Sequence, residues 1–396
     1  MRSLQCVLLL VGLAFGVSPI LADTEWPTFG WQLATPNSVG LDRTTLRTLN
    51  TDLKNRKYGY VDSILVIRHG KVAYEKYYDH DYSSIYGEES RTPGPLVIGD
   101  PSGPYNYFNA WWHPYHRKGQ LHTMQSVTKT IVSAVIGIAI KRGDFPDLDT
   151  PVLSFFDIDR VANIDEQKSR MTLYHLLTMS TGLDWNEDLP YTDPSNTFTI
   201  MALTPDWVRY TLDRPMRTEP GKEFRYNSGA TLILGHIFRL ATGTDIEEYV
   251  NRHLFQALGI DDYQWKRTPF GLADTQEGLY ISTRDIAKFA YLFLRRGKWE
   301  GKQVVPAEWI DASFSPAVSA VADGSVDYGY KWWLQHYSYR DVDYIAYLGK
   351  GFGGQRPIIL PDFDIVIIFT GWNILPNRPF LTELEAIRRV LEAIKH

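Results

Sequence analysis

The chain has 396 residues, with 46 acidic and 41 basic side chains and a formal net charge of −5, so it carries no basic excess for a nucleic-acid surface. Its length allows two domains or one large domain with an insertion, and 44% hydrophobic with 22% charged residues is the balance of a globular protein. The single cysteine, Cys6, lies in the N-terminal stretch, which excludes cysteine catalysis and a disulfide framework from the rest of the chain.

The first 22 residues read as a secretory leader. Arg2 gives a positive start, Val7 to Val17 is an apolar run, and Ser18-Pro19-Ile20-Leu21-Ala22 ends on a small residue before Asp23. An N-terminal anchor is the alternative, but the run is short for a membrane span. Cleavage near Ala22 implies an exported protein, periplasmic or secreted, with no stable membrane insertion.

Ser63 to Ile67 and Val72 to Tyr78 are β-rich runs around Arg68-His69-Gly70-Lys71, a hairpin signal. Asp79 to Leu121 has no clear period. Loops of this length are functional or disordered, and Tyr105, Tyr107, Phe108, Trp111, Trp112 and Tyr115 favour a folded flap beside a site. His113 and His116, with Pro114 between them and no third ligand nearby, read as surface packing, and no metal is expected.

Ser126-Val127-Thr128-Lys129 opens a run that is apolar on every side, from Ile131 to Ile140, and stops at Gly143. On a helix, residues three apart have Cβ atoms roughly 5–6 Å apart. A serine at the helix start would then lie beside a lysine facing desolvation. Such a lysine can act as base for the hydroxyl, and free N–H groups at the helix start can stabilise an oxyanion. The plainer alternative is an N-cap serine followed by a solvated lysine.

The middle of the chain reads as helical, with candidates at Leu173 to Met179, Asp206 to Leu212, Ala230 to Ala241 and Ile246 to Leu258. Within it, Tyr226-Asn227-Ser228-Gly229 follows a Pro220-Gly221 turn and precedes a helix. Tyr226 there either presents its hydroxyl to a cleft as a proton relay or is a buried aromatic. Ser282 to Arg296 is a further helix capped by Ser282 or Thr283. Strands follow at Tyr328 to Gln335, Asp343 to Leu348, Arg356 to Leu360 and Asp364 to Thr370, and Phe380 to Ile394 closes as an amphipathic helix. Between two of these strands, Gly349-Lys350-Gly351-Phe352-Gly353-Gly354-Gln355 permits close backbone approach to a ligand, or is simply a glycine-rich turn.

Strands at both ends with helices between predict an α+β fold, an α/β sandwich. A mainly antiparallel sheet is flanked by helices and carries an inserted helical domain. The expected division is 1–22 leader, 23–145 with 275–396 as a discontinuous α/β domain, and 146–274 as the helical insertion.

The ordered set Ser-x-x-Lys, Tyr226-Asn227-Ser228 and the glycine-rich strand resembles the serine β-lactamase and penicillin-binding superfamily. The resemblance is to its class C-like branch, with family VIII-type esterases and 6-aminohexanoate-dimer hydrolases. Leu176-Leu177-Thr178-Met179-Ser180-Thr181-Gly182-Leu183 is similar to the family's LLTHTSGL segment, and the resemblance runs from the Ser63–Tyr78 hairpin to the final helix. It implies Ser126 as nucleophile, Lys129 as base, Tyr226 as acid/base, and the N–H groups of Ser126 and Phe352 as oxyanion hole. It further implies Tyr191, Ser228, Lys350 and Gly351 as substrate contacts, a small-molecule ester or amide substrate, and no cofactor. Two positions depart from the pattern: Ser228 stands where Tyr-x-Asn has asparagine, and Gly349 stands at the cation position of the Lys/His-Thr-Gly strand, with Lys350 beside it. The expected activity is therefore hydrolysis of esters or small amides through an acyl-enzyme. The alternatives are a β-lactamase or D-alanyl-D-alanine carboxypeptidase, or a catalytically silent ligand-binding domain.

Overall fold

A computed structural model describes residues 26–376 and 378–395. The expected leader lies outside them. Among the described residues no helix is long and apolar enough to cross a membrane.

The main sheet has eight strands, all paired antiparallel: β1 (Val61–Arg68), β2 (Lys71–Tyr77), β3 (Val318–Ser319), β4 (Val326–Tyr328), β5 (Trp333–Tyr339), β6 (Val342–Leu348), β7 (Arg356–Leu360) and β8 (Ile365–Gly371). Their spatial order is β2-β1-β8-β7-β6-β5-β4-β3, so the first hairpin joins the last strand toward one edge of the sheet. The register explains the composition of β1 and β8. Leu65 pairs with Ile368 and Ile67 with Val366, while Ile64 pairs with Phe369 and Val66 with Ile367. Successive side chains point to opposite faces, and here both faces are covered. Both strands are therefore nearly continuous apolar runs rather than alternating ones.

One face is covered by α1 (Arg43–Lys54) and the C-terminal helix α5 (Glu383–Leu391), with Leu46, Leu49, Leu53, Ile387 and Val390 meeting Ile64, Val66, Ile358 and Ile367. The other face meets α2 (Thr128–Arg142) and α4 (Thr283–Leu294) in the larger core. Every residue of α2 from Thr128 to Ala139 is buried, which is why the segment shows no polar face. Trp309 lies so close to Gly137 that a Cβ there would come within 2.3 Å of its ring, and Gly143 ends the helix in the left-handed conformation.

From Thr128 to Leu258 the elements are helical, α3 (Ser228–Thr242) among the longest. The mixed helices and antiparallel sheet are the expected α+β architecture. Several local expectations needed correction. The Tyr328–Gln335 run is two strands, because the backbone turns through Gly329–Trp332 with Lys331 at φ 65°. The Ile246–Leu258 helix is interrupted by a wide turn at Asn251–Phe255. His113 is buried rather than at the surface, stacked on Trp372 and Tyr107. The 79–121 segment, by contrast, is folded as expected, packing into the larger core through Tyr86, Leu96, Ile98, Tyr107 and Phe108.

Candidate active site

A short strand, His122–Thr123, pairs with Leu279–Ile281 and brings the chain to the head of α2. Met124 N–H donates to Leu279 O at 2.8 Å. The backbone then turns sharply. Gln125 is buried at φ 48°, a left-handed conformation uncommon for a residue with a side chain. Gln125–Val127 form one 3₁₀ turn before α2 begins at Thr128. Ser126 therefore stands just ahead of the helix, where backbone N–H groups have no intrahelical acceptor.

Lys129 lies one turn along and is 1% exposed. Its Nζ donates to Ser126 Oγ at 2.8 Å and to the backbone carbonyl of Gln276 at 2.9 Å. The expected serine–lysine pair is thus formed, and the Gln276 carbonyl fixes Nζ from a distant segment. Tyr226 meets the same lysine with its ring, whose centroid is 5.1 Å from Nζ. Asn227 caps α3 by accepting from Ala230 N–H at 3.0 Å, which holds Tyr226 at the mouth of that helix, its ring stacked on Trp333. Among the described residues no hydrogen bond joins the Tyr226 hydroxyl to Ser126 or Lys129.

Ser126 and Lys129 open into a pocket of about 280 Å³, counting its mouth. Leu96, Tyr107, Tyr191, Phe198 and Phe352 form its apolar wall, and Ser228, Gln276 and Glu277 are its other polar lining. Phe352 is held edge-on against Tyr191, with centroids 4.8 Å apart. Gly351 runs against the backbone leading to the serine, since a Cβ there would come within 2.5 Å of Met124 O. Of the expected substrate contacts, Tyr191 and Ser228 line the pocket; Lys350 and Gly351 do not. Lys350 Nζ instead lies 4.7 Å from the centre of the Trp333 ring and 3.8 Å from Glu383. Burial holds its ammonium below the usual lysine range, against the pull of Glu383.

Sequence reasoning missed three parts of this site. Glu187, nearly buried, accepts from Trp185 Nε1 (2.9 Å), Tyr191 OH (2.8 Å), Ser228 N–H (2.8 Å) and Ser228 Oγ (2.6 Å). Burial and this carboxylate raise the Tyr191 hydroxyl well above the usual phenol range. Glu277 accepts from Lys266 Nζ at 2.8 Å and from Tyr107 OH, and Asp274 beside it is pushed up to about 7 by burial and by the Glu277 charge. Lys331 is fully buried, donating to Leu176 O at 2.6 Å, and burial with the nearby Lys129 charge pushes its ammonium well below the usual range. Glu187 sits two residues after Trp185, but nothing in the sequence ties it to Ser228, 41 residues on. Among the described residues no group of three or more His, Cys, Asp or Glu side chains is placed to hold a metal ion.

Comparison with known proteins identifies the family. The Beta-lactamase family model matches residues 60–391. A 6-aminohexanoate-dimer hydrolase of Paenarthrobacter ureafaciens is 25% identical over 304 residues, covering 71% of this chain and 72% of that protein. Among solved structures, EstCE1, a hydrolase with promiscuous acyltransferase activity, superposes with a TM-score of 0.63 at 15% identity, covering 88% of this chain and 98% of its own. A penicillin-binding protein from Bacillus halodurans superposes with a TM-score of 0.60 at 15% identity, covering 86% and 99%. Matched by the family model over most of its length, and folded like these neighbours, the chain belongs to the Beta-lactamase family of serine hydrolases, in the serine β-lactamase and penicillin-binding superfamily.

Proposed function

We propose that the protein hydrolyses esters or small amides through an acyl-enzyme on Ser126. The observation that carries this reading is the 2.8 Å contact between Lys129 Nζ and Ser126 Oγ inside a mostly apolar pocket. As Oγ attacks the substrate carbonyl, its proton passes to Nζ of Lys129. The carbonyl oxygen becomes an oxyanion facing the backbone N–H groups of Ser126 and Phe352. Collapse of the tetrahedral adduct breaks the bond to the leaving alkoxide or amine, which takes a proton through Tyr226. Water then attacks the acyl-enzyme, the acid departs, and Oγ regains its proton. The likeness to a 6-aminohexanoate-dimer hydrolase supports keeping small linear amides in the substrate class.

The seat of Lys350 on Trp333, outside the pocket, disfavours the β-lactamase and carboxypeptidase alternative, which calls for a cation facing the substrate carboxylate. The serine–lysine contact disfavours a silent binding domain. A panel of aryl esters, anilides and β-lactams, assayed with wild-type protein and Ser126→Ala, tests the proposal. Ester or amide turnover lost in the alanine variant is expected. Turnover that survives the substitution would remove Ser126 from the reaction.

A further inference from the structure

Arg356 is a nearly buried cation with no part in the acyl-enzyme cycle. It opens β7 directly after the glycine-rich loop, and its guanidinium divides between two kinds of acceptor. Nε donates to the Glu383 carboxylate at 2.6 Å, while Nη1 donates to the backbone carbonyls of Gly351 at 2.6 Å and Gln355 at 2.9 Å. The side chain is only 13% exposed, so these are not open surface contacts. Glu383, the first residue of α5, is its anchor. Burial would raise that carboxyl, but the charges of Arg356 and Lys350 bring it down to about 2, so it is a carboxylate at neutral pH.

The carbonyl of Gly351 belongs to the same peptide group as the N–H of Phe352. In a planar trans peptide the two bonds point in opposite directions, so whatever holds the carbonyl aims the N–H. Gly351 O takes two donors, Arg356 Nη1 and Gly354 N–H at 3.2 Å. Phe352 N–H, by contrast, has no acceptor among the described residues. It leaves the opposite edge of the peptide, on a residue that lines the Ser126 pocket. The loop itself is poorly suited to fix this orientation. Gly353 and Gly354 stand at φ 95° and 124°, and glycine is the most permissive residue of the backbone. A side chain from outside the loop supplies the constraint.

We propose that Arg356 is a positioning residue for the oxyanion hole: it holds the Gly351–Phe352 peptide with the Phe352 N–H facing the reacting carbonyl at Ser126, and Glu383 holds Arg356. The inference rests on the serine-hydrolase reading of the same site and goes beyond it by naming what orients one of its two donors. A charged donor on the carbonyl also polarises the peptide, which strengthens its N–H as a donor. The benefit falls on the tetrahedral state, where the substrate oxygen is negative, rather than on the bound substrate.

Arg356→Met and Arg356→Lys test it. Lysine has one nitrogen where this arginine uses two, so it can keep the Glu383 ion pair but not the Gly351 carbonyl as well. Methionine keeps neither, and if that variant does not fold, the lysine variant decides. The readouts are kcat and KM for an aryl butyrate and the inhibition constant of an aryl trifluoromethyl ketone. With that ketone, Ser126 Oγ adds to the carbonyl carbon, its proton passes to Lys129, and the carbonyl π pair becomes a hemiketal oxyanion, which reports the hole without turnover. In both variants kcat should fall about 10- to 100-fold with KM within about twofold of wild type, short of the loss from deleting an oxyanion donor outright. The inhibition constant should rise by a similar factor. Unchanged kcat and inhibition, or a loss carried by KM alone, overturns the role of Arg356 while leaving the hydrolase intact. A wild type that cleaves no ester and takes no fluorophosphonate at Ser126 would instead overturn the hydrolase reading, and this inference with it.

Discussion

The carboxylate of Glu187 accepts both the backbone N–H and the hydroxyl of Ser228, at 2.8 and 2.6 Å, across 41 residues of sequence. Tyr191 and Trp185 donate to the same carboxylate. One buried acid therefore ties the loop carrying Tyr191 to the start of α3, two residues after Tyr226. Both sides of the Ser126 pocket are positioned through it.

Replacing this acid by its amide tests that role. Glu187→Gln keeps the volume but trades a charged acceptor for a neutral one and leaves donors facing an amide N–H₂. Hydrogen bonds to charged groups contribute about 1.5–3 kcal/mol, so the variant should lose stability in that range by urea unfolding. It should also lose roughly tenfold or more in kcat/KM, because substrate positioning is sensitive to small displacements. A variant as stable and active as wild type would show that the four contacts are incidental.

Tyr226 separates two readings by one atom. Tyr226→Phe preserves the stacking on Trp333 and the ring beside Lys129 but removes the hydroxyl. If that hydroxyl relays a proton, the rate should fall about 10²–10⁴-fold, the usual range for general acid–base catalysis. A rate within a factor of two or so of wild type would make Tyr226 an aromatic wall and nothing more.

The placement of Lys350 sets an order of substrates. Its ammonium lies over Trp333 and near Glu383 and does not line the Ser126 pocket, so an anionic β-lactam loses a charge-assisted contact worth about 1.5–3 kcal/mol, one to two powers of ten. Short-chain aryl esters should exceed penicillins and cephalosporins in kcat/KM by at least that margin. Comparable turnover of a cephalosporin and an aryl butyrate contradicts this order and would require Lys350 to swing into the pocket.

Asp274 makes stability depend on pH. Burial and the Glu277 charge raise its carboxyl to about 7 in the folded protein, above the ordinary carboxylate range of the unfolded chain. Between those values the folded state holds a proton that the unfolded state releases. This contribution therefore weakens the fold as pH rises through that interval, and the penalty is complete above about pH 7. Asp274→Asn cannot ionise, and its Oδ1 can still accept from Gln276 N–H. Relative to wild type, the variant should gain urea resistance between pH 5 and pH 8. A difference independent of pH would mean that Asp274 does not titrate in the fold.

Much of this was legible in the sequence because it is carried by local pattern. The continuous apolar run of α2 announced a buried helix, and the Ser-x-x-Lys spacing placed a lysine over the serine. Asp364 to Thr370 read as a strand, close to the observed Ile365–Gly371, because both faces of the sheet are buried there. What could not be read was set by contacts between distant segments. Glu187, Gln276 and Glu277 carry no motif, and only the fold brings them to Ser126. Lys350 looked like a displaced family cation, but its direction depends on how Trp333 and Glu383 surround it. The break at Gly329–Trp332 was hidden because an aromatic-rich run reads as one strand until a buried lysine at positive φ divides it.

The central claim is that Ser126 is the nucleophile and that Lys129 activates it. Intact-mass and peptide mass spectrometry after exposure to a fluorophosphonate tests it most directly. The account predicts one phosphonyl adduct on the peptide containing Ser126, much slower labelling in Lys129→Ala, and none in Ser126→Ala. An adduct on another residue, or undiminished labelling of the Ser126→Ala protein, would contradict it.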